Sequence, residues 1–311
     1  MVGAGVPSDF GMTTCRRINE YTVRGVFFAC ALLLVVVILT IAWFIGSRGI
    51  ATFLPSAGSS GQVRPGVNPA EFFFGQEWSP QDRIVGAATF IVGSLEITLL
   101  AILISAPLSI AAALFLSEVG PKWAQNVLQP AVELFVGIPS VVYGWVGATV
   151  LVPFIRGTFG GLGKSVLAGC IVLSIMALPT ITTVATDALR SLPVGLKEAS
   201  YGLGATRWQT IGRVLLPAAL PGLLTAVILG MARAIGEALA VQMVIGNSFQ
   251  FPERLTDTGI TLTSVISMDM GNTTFGSVWN NSLWTMAMLL LFIAFALIFA
   301  IRIVSSRKVY K

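Results

Sequence analysis

Histidine is missing from this sequence, and charged residues of both signs are scarce. The 311 residues include 14 acidic and 19 basic ones, so charged residues make up 11% of the chain, against roughly 25% in soluble domains. Without histidine, the chain lacks the usual general base and the commonest metal ligand of proteins. With so few acids as well, the composition argues against an enzyme active site.

The three cysteines do not suggest a metal or redox site. Cys15, Cys30 and Cys170 are widely separated, so no two of them have metal-ligand spacing. Cys30 and Cys170 lie within apolar runs, where we interpret them as packing residues. We therefore expect this chain to bind no metal and no cofactor of its own.

Long apolar runs dominate the sequence, in which 55% of residues are hydrophobic. A helix that crosses about 30 Å of hydrocarbon needs about 20 predominantly apolar residues. Runs of that length occupy residues 23–45, 90–116, 127–154, 165–189, 220–245 and 283–304. The sequence therefore predicts an all-α integral membrane protein with about six transmembrane helices, covered largely by membrane lipid.

Basic residues indicate how these spans are oriented. Six spans place both termini on one side, and the segments on that side hold about twice as many basic residues as the opposite segments. We therefore expect both termini in the cytoplasm, below a bacterial plasma (inner) membrane. Because the basic residues flank apolar spans, the net charge of +5 does not indicate a nucleic-acid partner.

The spans divide the chain into five predicted parts. These are a cytoplasmic N-terminal segment (1–22), a transmembrane anchor (23–45), an extracytoplasmic loop (46–83), a core with a cytoplasmic loop at 191–217 (84–304) and a basic cytoplasmic tail (305–311). The extracytoplasmic loop carries Phe72, Phe73, Phe74 and Trp78. We interpret these aromatic residues as interfacial anchors, with a docking surface for an outside partner as the alternative.

The cytoplasmic loop at 191–217 has the signals of two short helices. Ser191 is a candidate N-cap for the first helix, and Gly202 and Gly204 are suited to its end. Thr206 and Gln209 have the spacing of a capping box, which predicts the start of the second helix. A helix–turn–helix between two membrane spans is not expected to bind DNA.

The same loop resembles the EAA loop of binding-protein-dependent ABC importers. That motif has Glu-Ala-Ala, a glycine at its seventh position and a closing aliphatic-any-Leu-Pro sequence. Here the matching residues are Glu198-Ala199-Ser200, Gly204 and Val214-Leu215-Leu216-Pro217, and Ser200 is the one departure. The resemblance implies that the first helix enters a cleft of a partner ATPase. The predicted coupling residues are Glu198, Ala199, Gly204, Ala205, Thr206 and Arg207.

ATP chemistry is expected on that partner and not on this chain. The only string similar to a phosphate loop, residues 160–165, has Thr158 where the Walker A pattern requires its first glycine. It also falls in a predicted outer loop with no room for a nucleotide-binding domain. ATP and Mg²⁺ therefore belong to the ATPase, and this chain is predicted to be a non-enzymatic pore subunit.

Four further strings narrow the resemblance to the phosphate-specific transporter permeases, of the PstC type. They are GIPSVVYG (137–144), ALPT (177–180), DALRSLP (187–193) and ARAIGEALAVQMVIGN (232–247). The resemblance implies a type I importer permease (MetI-like) core that works by alternating access. It also implies a heterodimer with a PstA-type permease, an ATPase dimer and an extracytoplasmic phosphate-binding protein.

Two alternatives remain at this point. A permease for another oxyanion, sulfate or molybdate, would share the architecture. An ATP-independent secondary transporter would need no coupling loop, and inverted repeats, which would favour it, are not evident in the sequence.

Two opposite charges lie within the predicted fifth span. Arg233 and Glu237 are spaced i and i+4, so a continuous helix would place them on one face. A charge at mid-membrane costs about 2.5–3.5 kcal/mol on the insertion scale, so such residues pair with each other, line a pathway or do both. Because a guanidinium matches phosphate oxygens, we expect Arg233 to help phosphate across. Three polar residues beside helix-interrupting prolines complete the candidate path: Ser140, Tyr143 and Thr180.

Overall fold

The computed structural model describes residues 10–57 and 63–309, and within these ranges the chain is almost entirely helical. The first helices are α1 (Phe10–Ile50), α2 (Pro69–Phe74), α3 (Ala88–Leu114), α4 (Lys122–Val136), α5 (Ser140–Val146), α6 (Val152–Phe159) and α7 (Val166–Arg190). The others are α8 (Val194–Gly202), α9 (Arg207–Thr210), α10 (Leu216–Ile235), α11 (Leu239–Ile245), α12 (Leu262–Asp269) and α13 (Val278–Val309). Two antiparallel hairpins pair β1 (Ser56–Ala57) with β2 (Val63–Arg64) and β3 (Trp78–Ser79) with β4 (Ile84–Val85).

Six helical segments in the described part of the chain are long and apolar enough to cross a membrane. They are Val23–Ile50, Ala88–Val119, Ser140–Phe159, Val166–Arg190, Arg207–Ile235 and Val278–Ile303. The number of spans and the all-α fold class are therefore confirmed. Short π-helical turns join α3, α5 and α9 to the residues that follow, so some of these spans combine two α-helices.

The third span begins later than the apolar run suggests. Residues 127–136 belong to α4, whose polar and apolar residues lie on opposite faces, and the span itself starts at Ser140. Pro139 separates the two helices because its nitrogen has no hydrogen to donate and its ring disfavours helix before it. The prediction of one continuous span over 127–154 was therefore wrong.

The fifth span is displaced towards the N-terminus relative to its prediction. It runs from Arg207 to Ile235 instead of over 220–245. The helix stops at Gly236, and α11 is a separate short helix. Pro217 does not break the span, because a π-helical turn over Ile211–Leu215 precedes it and the Leu216 N–H bonds to the Ile211 carbonyl.

Helix α7 lies at the centre of the bundle. Within its most apolar stretch 61% of residues are buried, whereas the other five spans reach at most 33%. The spans containing α3 and α10 pack on it. Gly230 allows the α10 contact, since a Cβ there would come within 2.4 Å of Ile181 Cγ1. Small residues of this kind let helices approach closely in membranes, where apolar burial gives little driving force.

The anchor helix α1 touches the rest of the chain mainly near its C-terminal end. None of the most apolar stretch of its span is buried. The Thr285 hydroxyl of α13 donates to the Gly49 carbonyl at 2.8 Å and lies 2.7 Å from the Thr52 hydroxyl. Phe44 meets Trp284 edge to face. Most of α1 is therefore available to lipid or to another subunit.

The loop after α1 has a small apolar core of its own. Phe72 is fully buried and packs edge to face against Phe53 and Phe73. Trp78 packs in the same way against Phe90 of α3. Of the four aromatic residues interpreted as interfacial anchors, Phe74 alone is largely exposed, at 82%. The interpretation was wrong for Phe72, because this loop folds onto α12 and α13 and buries that ring.

Candidate functional site

The connection between α7 and α10 contains two helical segments joined by a glycine turn, as predicted. The second segment, α9, is not a separate short helix, because it continues through a π-helical turn into the fifth span. The first helix starts differently from the expectation, because Ser191 caps the C-terminus of α7 and its hydroxyl donates to the Ala188 carbonyl at 2.8 Å. Helix α8 instead begins after Pro193. Proline suits this position, since the first N–H groups of a helix have no intrahelical partner.

The second helix begins with the predicted capping box. The Thr206 hydroxyl accepts from the Gln209 N–H, and the Gln209 side chain accepts from the Thr206 N–H at 2.9 Å. The Ser200 and Thr210 hydroxyls, both buried, lie 2.9 Å apart and fasten α8 to α9. Ser200 is the one departure from the EAA pattern, and its hydroxyl makes a hydrogen bond that an alanine at this position could not make.

Gly204 sets the angle between the two helices. Its φ of +78° lies in the left-handed region, and a Cβ there would meet no atom within 4 Å. A larger residue at position 204 would therefore strain the backbone but would not clash with any neighbouring atom.

We expect Gly204→Ala to destabilise this turn by about 1–2 kcal/mol. Amide hydrogen exchange in residues 194–210 should then be about 5- to 30-fold faster, measured by mass spectrometry on the purified complex. Gly202→Ala is the matched control, because Gly202 lies in helix α8 and also has open space around its Cβ position. Equal exchange in the two variants would contradict a role for the positive φ.

The predicted coupling residues lie on the surface of this loop. Glu198, Ala199, Gly204, Thr206 and Arg207 are exposed and Ala205 is half-buried. The same loop carries three large apolar side chains that no other part of the described chain buries. Leu203 is 90% exposed, Trp208 71% and Val194 67%. Several large apolar side chains left exposed on one short, mostly polar connection indicate a surface that a partner covers. We call these three side chains the loop patch.

A neighbouring set of ionic contacts ties the loop to the end of α3. Lys197 Nζ lies 2.7 Å from Glu118 Oε1, and Arg207 donates to the Glu118 carbonyl. Arg190 donates to the Leu116 carbonyl at 3.3 Å and to Gln129 of α4. Sequence reasoning missed Glu118, because no local pattern links it to Lys197, which is 79 positions away.

Several of the residues predicted to line the translocation path come together at the break between α4 and α5. Arg233, in the last turn of α10, donates to the Thr180 hydroxyl of α7 at 3.0 Å and to the Val136 carbonyl at 3.4 Å. The Tyr143 hydroxyl donates to the Phe135 carbonyl at 2.9 Å. Arg233 also interacts electrostatically with Tyr143. Three of the predicted path residues therefore share one site, which we call the arginine site.

The remaining two candidates have different positions. Ser140 is half-buried at the first position of α5, one helical turn before Tyr143. Glu237 does not share a helix face with Arg233, because α10 ends before Gly236. Its carboxylate accepts from the Ala240 N–H at 3.0 Å, and its carbonyl accepts from the Thr263 hydroxyl at 2.9 Å. The expected i, i+4 pair was therefore wrong, since the helix it requires is interrupted.

Metal-binding clusters are not found in the described part of the chain, where no three His, Cys, Asp or Glu side chains come together. The arginine site contains a guanidinium, hydroxyl groups and carbonyls, which can bind and orient an anion. It has no nucleophile paired with a base.

Comparison with known proteins supports a transport role. Residues 105–310 match the model of a family described as "Binding-protein-dependent transport system inner membrane component". A probable ABC transporter permease protein of Bacillus subtilis, YqgH, is 52% identical over 94% of this chain and 93% of its own length. The phosphate transport system permease protein PstC of Xylella fastidiosa is 33% identical over 76% of this chain and 78% of its own.

A solved structure shows the same fold. A chain of the MetNI methionine ABC transporter, in an inward-facing conformation, superposes with a TM-score of 0.55 and 23% identity, covering 70% of this chain and 93% of its own length. The type I importer permease core is thereby confirmed, and the ATP-independent secondary transporter is rejected. The matched proteins are non-catalytic membrane components. This chain therefore belongs to the family of binding-protein-dependent inner membrane components and is the permease subunit of an ABC importer.

Proposed function

We propose that this permease imports inorganic phosphate as one half of a heterodimeric pore. A permease of this class works with a second permease, an ATPase and a binding protein. In this proposal the second permease is of the PstA type, the ATPase dimer carries ATP and Mg²⁺, and the binding protein delivers phosphate from outside. Both termini lie in the cytoplasm of a bacterial cell.

The exposed loop patch is the observation that carries the ATP-driven part of this proposal. Burying one leucine side chain of the size of Leu203 contributes about 1.5–3 kcal/mol. Burial of all three side chains of the loop patch against a partner would therefore strongly favour association. Glu198 is exposed within the same loop, and charges at the edge of an apolar patch select the partner and its orientation. These features fit a cleft on the ATPase subunit, as the EAA resemblance implies.

The arginine site supports an anionic substrate. Arg233 is half-buried, and both hydrogen-bond partners found for it in the described part of the chain, the Thr180 hydroxyl and the Val136 carbonyl, are neutral. Its positive charge is therefore not cancelled by a bonded carboxylate, and a site of this kind attracts anions. A guanidinium has five N–H donors, so these two bonds leave donors for phosphate oxygens. The PstC relative agrees with this substrate class.

The position of the arginine site supports alternating access. This site lies where three separate elements meet: α10, α7 and the interruption between α4 and α5. A movement of any one element changes the number of donors that Arg233 can turn towards an anion. ATP binding would favour one arrangement and hydrolysis would restore the other, so phosphate is held in one state and released in the next.

Anion uptake into cells tests the proposal. Cells lacking their own phosphate permease would express this chain with its partner subunits and receive labelled phosphate, sulfate or molybdate. We expect ATP-dependent uptake of phosphate, and none when the ATPase is omitted. Uptake of sulfate or molybdate instead would overturn the substrate and keep the architecture. Uptake without any ATPase would contradict the proposed coupling.

A further inference from the structure

The end of α3 receives basic side chains from three neighbouring elements. A π-helical turn, Phe115–Val119, continues α3, and it closes with a bond from the Gly120 N–H to the Phe115 carbonyl. Arg190 of α7 binds the Leu116 carbonyl, Arg207 of α9 binds the Glu118 carbonyl and Lys197 of α8 binds the Glu118 carboxylate. Glu118 is therefore held by α8 through its side chain and by α9 through its backbone.

Helix electrostatics explain why cations gather there. The last carbonyls of a helix have no intrahelical donor and carry partial negative charge, so Lys and Arg are favourable beside them. The Glu118 side chain adds a full negative charge and is only 10% exposed, while that of Lys197 is 29% exposed. Removing one partner of such a sheltered pair leaves the other charge poorly solvated. This contact is therefore stiffer than an ordinary surface ion pair.

A connected series of contacts leads from Glu118 to the arginine site. Gln125 of α4 donates to the Gly120 carbonyl at 3.0 Å, which joins the end of α3 to the start of α4. Helix α4 then runs as one element to Val136, whose carbonyl binds Arg233. A displacement of α8 can therefore reach Arg233 through α4, in parallel with the covalent route through α9 and α10.

We propose that Glu118 is a positioning residue that transmits movement of α8 to α3 and α4 during the transport cycle. This inference rests on the proposed docking of an ATPase on the loop patch. Glu118 contacts neither nucleotide nor substrate in this scheme. Its function is to make α3 and α4 move together with α8, so that each hydrolysed ATP changes the arginine site.

The coupling ratio of the reconstituted transporter tests this role. The complete complex would be placed in proteoliposomes, and ATP hydrolysed per anion transported would be measured for Glu118→Gln, Lys197→Gln and the double variant. We expect each single variant to use about tenfold more ATP per anion, within the usual range of coupling between sites. The double variant should be no worse than either single one, because the two residues act as one unit.

Two controls separate coupling from folding and from substrate identity. Glu77→Gln removes an exposed carboxylate in the loop after α1, outside this series of contacts, and should leave the ratio unchanged. The double variant leaves neither charge unpaired, so its subunit composition and melting temperature should match the wild type while its ratio of ATP to anion stays raised, which a merely structural role would not allow. The assay follows whichever of phosphate, sulfate or molybdate the wild type carries, so a wrong substrate does not affect it. A wild-type ratio in Glu118→Gln, or multiplied defects in the double variant, would overturn the role of Glu118.

Discussion

Replacing Arg233 by alanine is expected to lower phosphate uptake about 100-fold without preventing assembly of the transporter. Hydrogen bonds to charged groups contribute about 1.5–3 kcal/mol each. Two bonds from a guanidinium to phosphate at the lower of these values contribute about 3 kcal/mol, which corresponds to about 100-fold at 1.4 kcal/mol per factor of ten. Initial rates of labelled phosphate uptake, normalised to the amount of assembled complex, would measure the effect.

Two further variants distinguish substrate binding from support of the helix interruption. Arg233→Lys keeps the charge but loses the planar fork that matches phosphate, so it should retain part of the uptake. Thr180→Val removes one neutral partner of Arg233 and keeps the guanidinium, so it should transport much better than Arg233→Ala. Arg156→Ala is the matched control, because Arg156 is exposed in the last turn of α6.

The pattern of these results decides the role of Arg233. Near-normal uptake by an assembled Arg233→Ala complex would contradict substrate contact. Equal defects in Arg233→Ala and Thr180→Val would assign Arg233 to holding α7 against the α4–α5 interruption. A defect in Arg156→Ala as large as that in Arg233→Ala would show a general need for positive charge.

The lengths of the apolar runs were sufficient to predict the number of spans. A helix in lipid satisfies its backbone hydrogen bonds internally, so a run of about 20 apolar residues has few other structures available. The capping box at Thr206 and the turn at Gly204 were predictable for a similar reason, because each depends on neighbouring residues. Local chemistry fixes both features.

The boundaries of two spans were not predictable from apolar runs. Residues 127–136 are apolar enough to extend the third span, yet they form an amphipathic helix that Pro139 separates from α5. Glu237 follows a glycine that ends α10, and its carboxylate caps α11. Hydropathy measures the preference for lipid over water, and it does not distinguish a continuous helix from two helices at an angle.

Contacts between distant segments were the least predictable part of the candidate sites. Thr180 and Arg233 were both identified as polar residues of apolar spans, but their hydrogen bond depends on how α7 and α10 pack. The pairing of Glu118 with Lys197 depends on the whole bundle in the same way. A single sequence carries no direct signal for such contacts, since their members share neither a helix face nor a local motif.

Replacing Leu203 by aspartate is expected to weaken binding of the ATPase about 30-fold or more, the size of effect found at interface hot spots. The side chain is 90% exposed in this chain, so the substitution should not disturb folding of the permease. In the complex, the leucine would be buried, and a carboxylate in its place would lose apolar contact and be desolvated without a partner. Titration of purified ATPase onto permease in nanodiscs would measure the affinity.

Leu162 provides the matched control at the other end of the bundle. It precedes α7 whereas Leu203 follows it, and a helix of 25 residues separates its ends by about 37 Å at 1.5 Å per residue. Leu162 is 74% exposed, so Leu162→Asp introduces the same charge on a comparable surface and should leave ATPase binding unchanged. Loss of binding in Leu203→Asp alone would support docking on the loop patch. Equal binding by both variants would place the ATPase contact elsewhere and remove the observation on which the coupling proposal depends.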